Sequence, residues 1–459
     1  MATKNLPKST LAELRGLIRG RLILPEDEEY ESARAVFYGW VDKRPGAIAR
    51  VADADDVAKV ITFARENSIE LAVRSGGHSG AGHCVSDGGL VLDLAELRAI
   101  EIDVAAHTAW AESGMTAGQY TLAAAEHGLA TGFGDTGTVG IGGITLGGGV
   151  GYLSRKFGLT IDSLLAADMV LADGRQVRID SQKHPDLFWA IRGGGGNFGV
   201  ATRFQFKLHE LPSIVGGMLI LPATPETISA FIAAAEAAPD ELSTIANVMP
   251  APPMPMIPED IHGKPVIFAI LVFAGDDERG EKALTPFRQI ATPLADLLGP
   301  KKYAEIFEGP EGPHPVAGAS HTMFLKHVDQ SVGQTIMDFL DRSNAPIRVA
   351  QLRLLGGVVS RVPADATAYA HRHCKIMVNL ANLYENLEEA DQHSAWVRDF
   401  AKAMDQGEPG AYVNFVTDEG VAAAYPAATW KRLAEIKGKY DPGNLFHMNH
   451  NIPPAREGK

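Results

Sequence analysis

The sequence predicts an α+β chain in two parts. A first unit, residues 1–210, is completed by a C-terminal return, residues 406–459, and a second unit of antiparallel sheet and helices, residues 211–405, is inserted between them. Three observations carry this. At 459 residues the chain exceeds what one hydrophobic core usually supports. Residues 132–151 contain 10 glycines in 20 positions, with Val139, Ile141, Ile144, Leu146 and Val150 threaded through them, which no solvated spacer would carry. From about Pro212 the glycines thin out, and apolar runs such as 217–221 and 266–273 alternate with helical segments at 225–237 and 281–290, separated by a Pro-rich loop at 249–258. That texture fits a sheet with helices on one face.

In chain order, residues 9–19 have helical spacing in Leu11, Leu14 and Leu17, with Ser9 or Thr10 as N-cap and Gly20 as stop. Residues 47–51 read as a strand, and Asp55 and Asp56 open a helix through Glu66 with Val57, Val60, Ile61 and Phe63 on its apolar face. Residues 69–73 form the next strand. Arg74-Ser75-Gly76-Gly77-His78-Ser79-Gly80 follows as a tight turn before the strand 90–94, presenting a cation, a hydroxyl and an imidazole together. The runs 99–103 and 108–112 suggest paired strands, and 116–127 a helix stopped by Gly128. Asp173-Gly174 marks a hairpin between apolar strands, and the alternating run 202–208 closes the first unit.

Composition narrows the function classes. A net charge of −14 without a basic run argues against nucleic acid or an anionic membrane as partner. No apolar span approaches the roughly 20 residues of a membrane helix, and residues 1–25 carry charges where a signal peptide needs an apolar core, so the expected compartment is the cytoplasm. Cys84 and Cys374 are too few for a disulfide framework and lack metal-ligand spacing, so two buried free thiols and no metal are expected. No signature of a particular oligomeric state is present. Gly194-Gly195-Gly196-Asn197-Phe198-Gly199 satisfies G-x-G-x-x-G, yet it follows a segment that reads as helix, and no acid lies about 20 residues on. A nicotinamide-binding site is therefore not expected there.

A buried, glycine-dense backbone suits a long, flat, pyrophosphate-containing ligand, because its N–H groups reach phosphate and ring edges only where no Cβ intervenes. Taken together, Arg74-Ser-Gly-Gly-His78, Thr138-Val-Gly-Ile-Gly-Gly143, Gly147-Gly-Gly-Val-Gly-Tyr-Leu-Ser-Arg-Lys-Phe-Gly-Leu-Thr-Ile-Asp162, Leu187-Phe-Trp-Ala-Ile-Arg-Gly-Gly-Gly-Gly-Asn-Phe-Gly-Val200 and the tail Tyr440-Asp-Pro-Gly-Asn-Leu-Phe446 with Asn451-Ile-Pro-Pro454 resemble the FAD-linked oxidases of the berberine bridge enzyme group, in the vanillyl-alcohol oxidase superfamily. Five motifs in the right order span essentially the whole chain.

The resemblance implies a two-part FAD-binding domain of the vanillyl-alcohol oxidase type with an inserted substrate domain. It implies a covalent bond from His78 to the flavin ring. His83, five residues past the motif, is not expected to make that bond. Many relatives carry a second link through a cysteine two residues before the Thr-Val-Gly triplet, where this chain has Thr136, so a single link is expected, with a less open ring site and a lower potential. Arg74, Ser75, Gly76, Gly77 and Ser79 carry over as the pyrophosphate turn, Gly137, Thr138, Gly140, Gly142 and Gly143 as a second cradle, Gly199 and Val200 as adenine-side contacts, and Asn444 and Asn449 as flavin neighbours from the tail. Tyr412, in Ala411-Tyr-Val-Asn-Phe415, resembles the tyrosine of alcohol-oxidising relatives; a phenol of depressed pKa would take the substrate proton while hydride passes to the flavin, and Asn414 would position substrate or flavin. His321 and Arg353 are polar candidates from the inserted unit.

The expected activity is an FAD-dependent oxidase acting on an alcohol or amine carbon of a small organic substrate, with molecular oxygen as acceptor and hydrogen peroxide as product. Its rivals are a flavin dehydrogenase feeding another acceptor, a tailoring oxidase of secondary metabolism, and a flavin-binding protein without activity.

Overall fold

The computed structural model describes residues 6–307, 317–416 and 421–455. The first helix, Lys8–Leu17, begins directly after Pro7 with no side-chain cap, so neither Ser9 nor Thr10 caps it, and it ends at Ile18 before reaching Gly20. Gly20 serves instead where its backbone, with that of Arg19 and Ala52, donates to the buried Asp56 carboxylate at 2.8–3.2 Å. That carboxylate ties the exit of the first helix to the helix Ala54–Glu66, itself capped by Asp53.

Four short strands follow, in the order Arg21–Ile23, Ala47–Arg50, Leu90–Asp93, Leu71–Arg74. The last three are parallel, with Leu71 opposite Leu90 and Arg74 opposite Asp93. The turn after Arg74 is therefore not the tight turn expected. Parallel neighbours need a crossover, and residues 75–89 carry the chain back along the sheet. A second sheet is antiparallel throughout: Ile100–Asp103, Thr108–Glu112, Val200–Lys207, Leu164–Val170, Gln176–Asp180. Its last pair is the hairpin read at Asp173-Gly174. Val170 and Val200 join the core of the first sheet, so the two sheets share an interior.

Among the described residues the inserted sheet has eight strands, with Leu242–Pro250, Ile347–Leu354, Ile376–Tyr384 and Ala317–Leu325 beside the expected Ile214–Pro222 and Pro265–Phe273. One face, through Leu219, Leu271, Ala246, Leu352, Val378 and Met323, packs under the helices Pro225–Ala237, Asp277–Arg288, Gln330–Arg342 and Ala390–Met404. The alternate residues face the glycine-rich unit: Ile245 and Val272 pack with Tyr152 and Leu153, and Phe324 and Met377 pack with Val150 and Tyr412. The strand period of two assigns the sequence candidates. Arg353 pairs with Met377 and Ile245 and lies on the glycine-facing side. His321 pairs with Leu380, on the helix-covered side, and is not a residue of the pocket.

No helix among the described residues is long and apolar enough to cross a membrane. Cys84 and Cys374 are free and buried, as expected.

His209, in the short ladder with Leu129–Ala130, stacks on Phe157 at 4.2 Å and lies 2.9 Å from Ser163 Oγ. Burial, and then Lys207 and Lys156, push its pKa down to about 4. A ring held neutral in the fold contributes its full stability above the unfolded pKa of about 6.5 and loses it as pH falls from there towards 4. After allowance for solvent screening of a half-buried ring, about 2 kcal/mol should be lost over that window. Urea midpoints at pH 7 and pH 4.5 are expected to differ less in His209→Gln than in the parent protein.

Candidate active site

The two glycine motifs meet each other. An added Cβ on Gly76 would lie 2.2 Å from Gly140 N, and one on Gly140 would lie 2.3 Å from Gly76 N and from Ser75 Oγ. Those glycines are required by the contact of one backbone with another. The seam is fixed from behind: Ser75 Oγ donates to Ser113 O at 2.5 Å, Gly118 N donates to Gly137 O and Ala117 N to Val139 O, both at 2.8 Å. Thr116 and Gln119 form a reciprocal capping box on the helix Ala117–Ala125, so the segment 137–140 lies along a rigid helix start. Along the seam Ser75, Gly76, His78, Ser79 and residues 135–139 remain half-buried, Gly142 is buried against Ser75, and Gly143 is exposed with nothing within 4 Å of an added Cβ.

Gly77, at φ +73°, turns the chain so that His78 stacks on Phe37 at 4.1 Å. Phe37 N donates to Gly77 O at 3.1 Å, Trp40 Nε1 donates to Gly80 O at 3.0 Å, and Tyr38 stacks on Trp40 at 4.3 Å. The Trp40 ring also lies against Gly318 on the edge strand of the inserted sheet. Phe37 thus walls the histidine, with Tyr38 and Trp40 packed beside it, a cluster absent from the sequence candidates although visible as three rings in four positions.

Asp135 was also missed. Its carboxylate accepts from Thr136 Oγ1 at 3.3 Å and pairs with Arg353 Nη2 from the facing sheet. Arg353 continues to Gln351, and Gln351 Nε2 donates to Asn247 Oδ1 at 2.8 Å. The guanidinium lies over Phe415, whose ring packs on Tyr412. Burial, reinforced by the Asp135 charge, raises the pKa of Tyr38 and Tyr152.

Tyr412 is 2 % exposed. Its hydroxyl oxygen accepts from Gly149 N at 3.1 Å, Val150 N at 3.2 Å and Asn414 Nδ2 at 2.9 Å. Asn414 Nδ2 also donates to Ile144 O at 3.3 Å, so the pair is locked onto the glycine-rich segment. The depressed phenol pKa expected from sequence is not found. Burial raises it and outweighs the three donors, which act in the opposite direction.

Arg74 also departs from expectation. Its guanidinium is buried and paired with Asp93 at 3.0 Å, so the turn offers backbone groups in place of a free cation. Asp93 in turn is held below the usual carboxylate range, burial opposing and Arg74 and Arg50 prevailing.

The tail is anchored by a fully buried ammonium. Lys437 Nζ donates to Asp441 Oδ2, Asn197 O and Phe446 O at 2.7–2.9 Å. Asn197 Nδ2 donates to His450 O, and Asn449 Nδ2 donates to Gly196 O at 3.1 Å. The G-x-G-x-x-G loop therefore follows the helix Pro185–Ala190, as expected, and serves as the tail's mooring. Asn444 sits at φ +52°, and the side-chain oxygens of Asn444, Asn449 and Asn451 are buried acceptors without a protein partner, a donor-seeking array that fits a polar ligand. Gly199 and Val200 open the strand Val200–Lys207 opposite Val170, with Val200 buried in the shared core.

The sequence matches the FAD-binding domain family over residues 45–180 and the berberine and berberine-like family over residues 411–453. It is 32% identical to an uncharacterized FAD-linked oxidoreductase of Bacillus subtilis, over 96% of this chain and 99% of that protein. It is 29% identical to (R)-6-hydroxynicotine oxidase of Paenarthrobacter nicotinovorans, over 95% and 97% of the two chains. The crystal structure of 6-hydroxy-D-nicotine oxidase from Arthrobacter nicotinovorans superposes with a TM-score of 0.83 at 27% identity, covering 95% of this chain and 98% of that one. Xylooligosaccharide oxidase from Myceliophthora thermophila, at 22% identity, shares the fold with a TM-score of 0.84, over 97% and 100% of the two chains.

Proposed function

Because the chain belongs to the berberine bridge enzyme-like FAD-linked oxidoreductases, we propose that it oxidises an alcohol or amine carbon of a small organic molecule, with FAD linked through His78 and molecular oxygen as final acceptor, giving hydrogen peroxide. The observation that carries this reading is the seam at Gly76 and Gly140, which sets a half-buried histidine beside a glycine-rich segment whose Asp135 and Gly149 contact Arg353 and Tyr412. The parts divide as residues 1–210 with 406–459 for the cofactor and 211–405 for the substrate, working in the cytoplasm.

When bound, the flavin supplies the hydride acceptor. His78 would hold the ring by one covalent bond, and Thr136 stands where a second link would need a thiol. The turn Arg74, Ser75, Gly76, Gly77 and Ser79 and the cradle Gly137, Thr138, Gly140, Gly142 and Gly143 would hold the pyrophosphate and ring. Gly199 and Val200 would serve the adenine side, and Asn444 and Asn449 would bring their unpartnered oxygens from the tail. Tyr412 accepts the proton of the substrate hydroxyl or amine, with Asn414 holding the phenol in place.

A base whose pKa is raised is deprotonated only at high pH. The logarithm of kcat/KM should therefore climb with a slope near one through the neutral and mildly alkaline range. Tyr412→Phe is expected to lower kcat by about 10²–10⁴ and to abolish that slope, at unchanged flavin content. Steady-state pH profiles on both proteins check this. Mixing substrate-reduced enzyme with air, while following flavin colour and peroxide, tests the oxidase reading. Rapid return of colour with stoichiometric peroxide supports it; slow return, with fast turnover on an artificial dye, would reassign the protein as a dehydrogenase.

A further inference from the structure

Away from the glycine seam, two segments of different origin bring three ligand-type side chains together. His373 and Cys374 stand just before the strand Ile376–Tyr384, and Glu408 follows the helix Ala390–Met404 on the way to Tyr412. His373 Nε2 lies 3.1 Å from Glu408 Oε1, Cys374 Sγ lies 3.7 Å from His373 Nε2, and Cys374 Sγ lies 3.9 Å from Glu408 Oε1. Among the described residues no other three His, Cys, Asp or Glu side chains converge in this way.

The triangle has the size of one face of a metal tetrahedron. Bonds of about 2.3 Å to sulfur and about 2.0–2.1 Å to nitrogen and oxygen place tetrahedral ligand atoms about 3.3–3.6 Å apart. The observed edges differ from those by a few tenths of an ångström. The donor set also selects. One thiolate, one imidazole and one carboxylate suit a borderline ion such as zinc and are poor for calcium or magnesium, which want oxygen alone. Access is open on one side: the His373 side chain is 65% exposed and that of Glu408 17% exposed, while Cys374 is buried beneath them. Three protein ligands leave a fourth position for water.

We propose that His373, Cys374 and Glu408 form a binding site for one zinc-type divalent ion, which clamps the segment leading to Tyr412 against the loop before Ile376–Tyr384. Coordination forms a metal–sulfur bond and releases the thiol proton of Cys374 to solvent. The clamp has a short path to the candidate active site. Cys374 shares an apolar cluster with Tyr369, Phe324, Met377 and Tyr412, and Gly410 lies directly against the ring of His371. Sequence spacing hides the site, because Glu408 is 34 residues from Cys374.

The test is a Co²⁺ titration of the full-length holoprotein, followed by thiolate-to-cobalt charge-transfer absorption, with competition by Zn²⁺ and elemental analysis for stoichiometry. One ion per chain with a thiolate band that Zn²⁺ removes is expected. Cys374→Ser should abolish the band, and His373→Ala, at an exposed position that leaves packing intact, should weaken affinity at least tenfold, as should Glu408→Gln. His327→Ala, at another exposed histidine, should change nothing. Absence of stoichiometric binding, or a band whose strength and affinity survive in both His373→Ala and Glu408→Gln, would overturn the assignment.

Discussion

Gly140→Ala is expected to be destabilised by at least about 3 kcal/mol and to be purified with little flavin. The new methyl carbon would lie 2.3 Å from Gly76 N and 2.8 Å from Gly76 Cα, so two backbones, each held by its own sheet or helix, would have to separate. Neither can yield locally. Gly76 follows a strand paired in register with Leu90–Asp93, and Gly140 bridges to Thr116 at the start of a capped helix. Gly143→Ala provides the contrast. It lies in the helix Ile141–Leu146 with nothing within 4 Å of the added Cβ, so apoprotein stability should hold or improve slightly while flavin retention falls. Differential scanning calorimetry with flavin quantitation separates the two outcomes. Equal loss of stability in both variants would contradict the seam as described.

His78→Ala is expected to retain no covalently held flavin. In the parent protein, flavin is expected to stay with the polypeptide after acid precipitation, and in the variant all of it should pass to the supernatant. The stack of His78 on Phe37 is lost as well. Each ~30 mV of a two-electron potential is a factor of ten in the equilibrium, so every such step by which the link raises the potential adds tenfold to the driving force. Flavin reduction by substrate should slow on the order of tenfold or more in the variant, with substrate affinity little changed. Thr136→Cys, with His78 retained, tests the other half of the reading by asking whether a thiol at that position can form the second link.

The glycine motifs and the tail were legible because their spacing is unusual and their order along the chain is fixed. The inserted unit was read in outline only. Pro265–Phe273 is a continuous apolar run and announces itself, whereas Leu242–Pro250 and Ala317–Leu325 carry Asn247, Ser320 and Thr322 on the side that faces the other unit, which blurs the alternation. The same ambiguity misplaced His321 beside Arg353: only the pairing register shows that one faces the helices and the other the glycines. Arg74 looked like a free phosphate ligand because its partner, Asp93, lies 19 residues away on a strand whose parallel register no turn signal reveals. Asp135 was invisible for a similar reason, since its role depends on Arg353, 218 residues on. Tyr412 and Asn414 were legible as candidates, but the bond from the Asn414 amide to the phenol, and the depth of burial that reverses the expected pKa shift, are properties of packing from three segments.

Mass spectrometry of the denatured protein, intact and after proteolysis, decides whether His78 carries the flavin. A mass increment of one FAD that remains through denaturation, and maps to the peptide containing His78 with Thr136 and both cysteines unmodified, is the predicted result. Flavin that leaves quantitatively on denaturation, or an increment that maps to a different residue, would contradict the role assigned to His78 and with it the geometry proposed for the site.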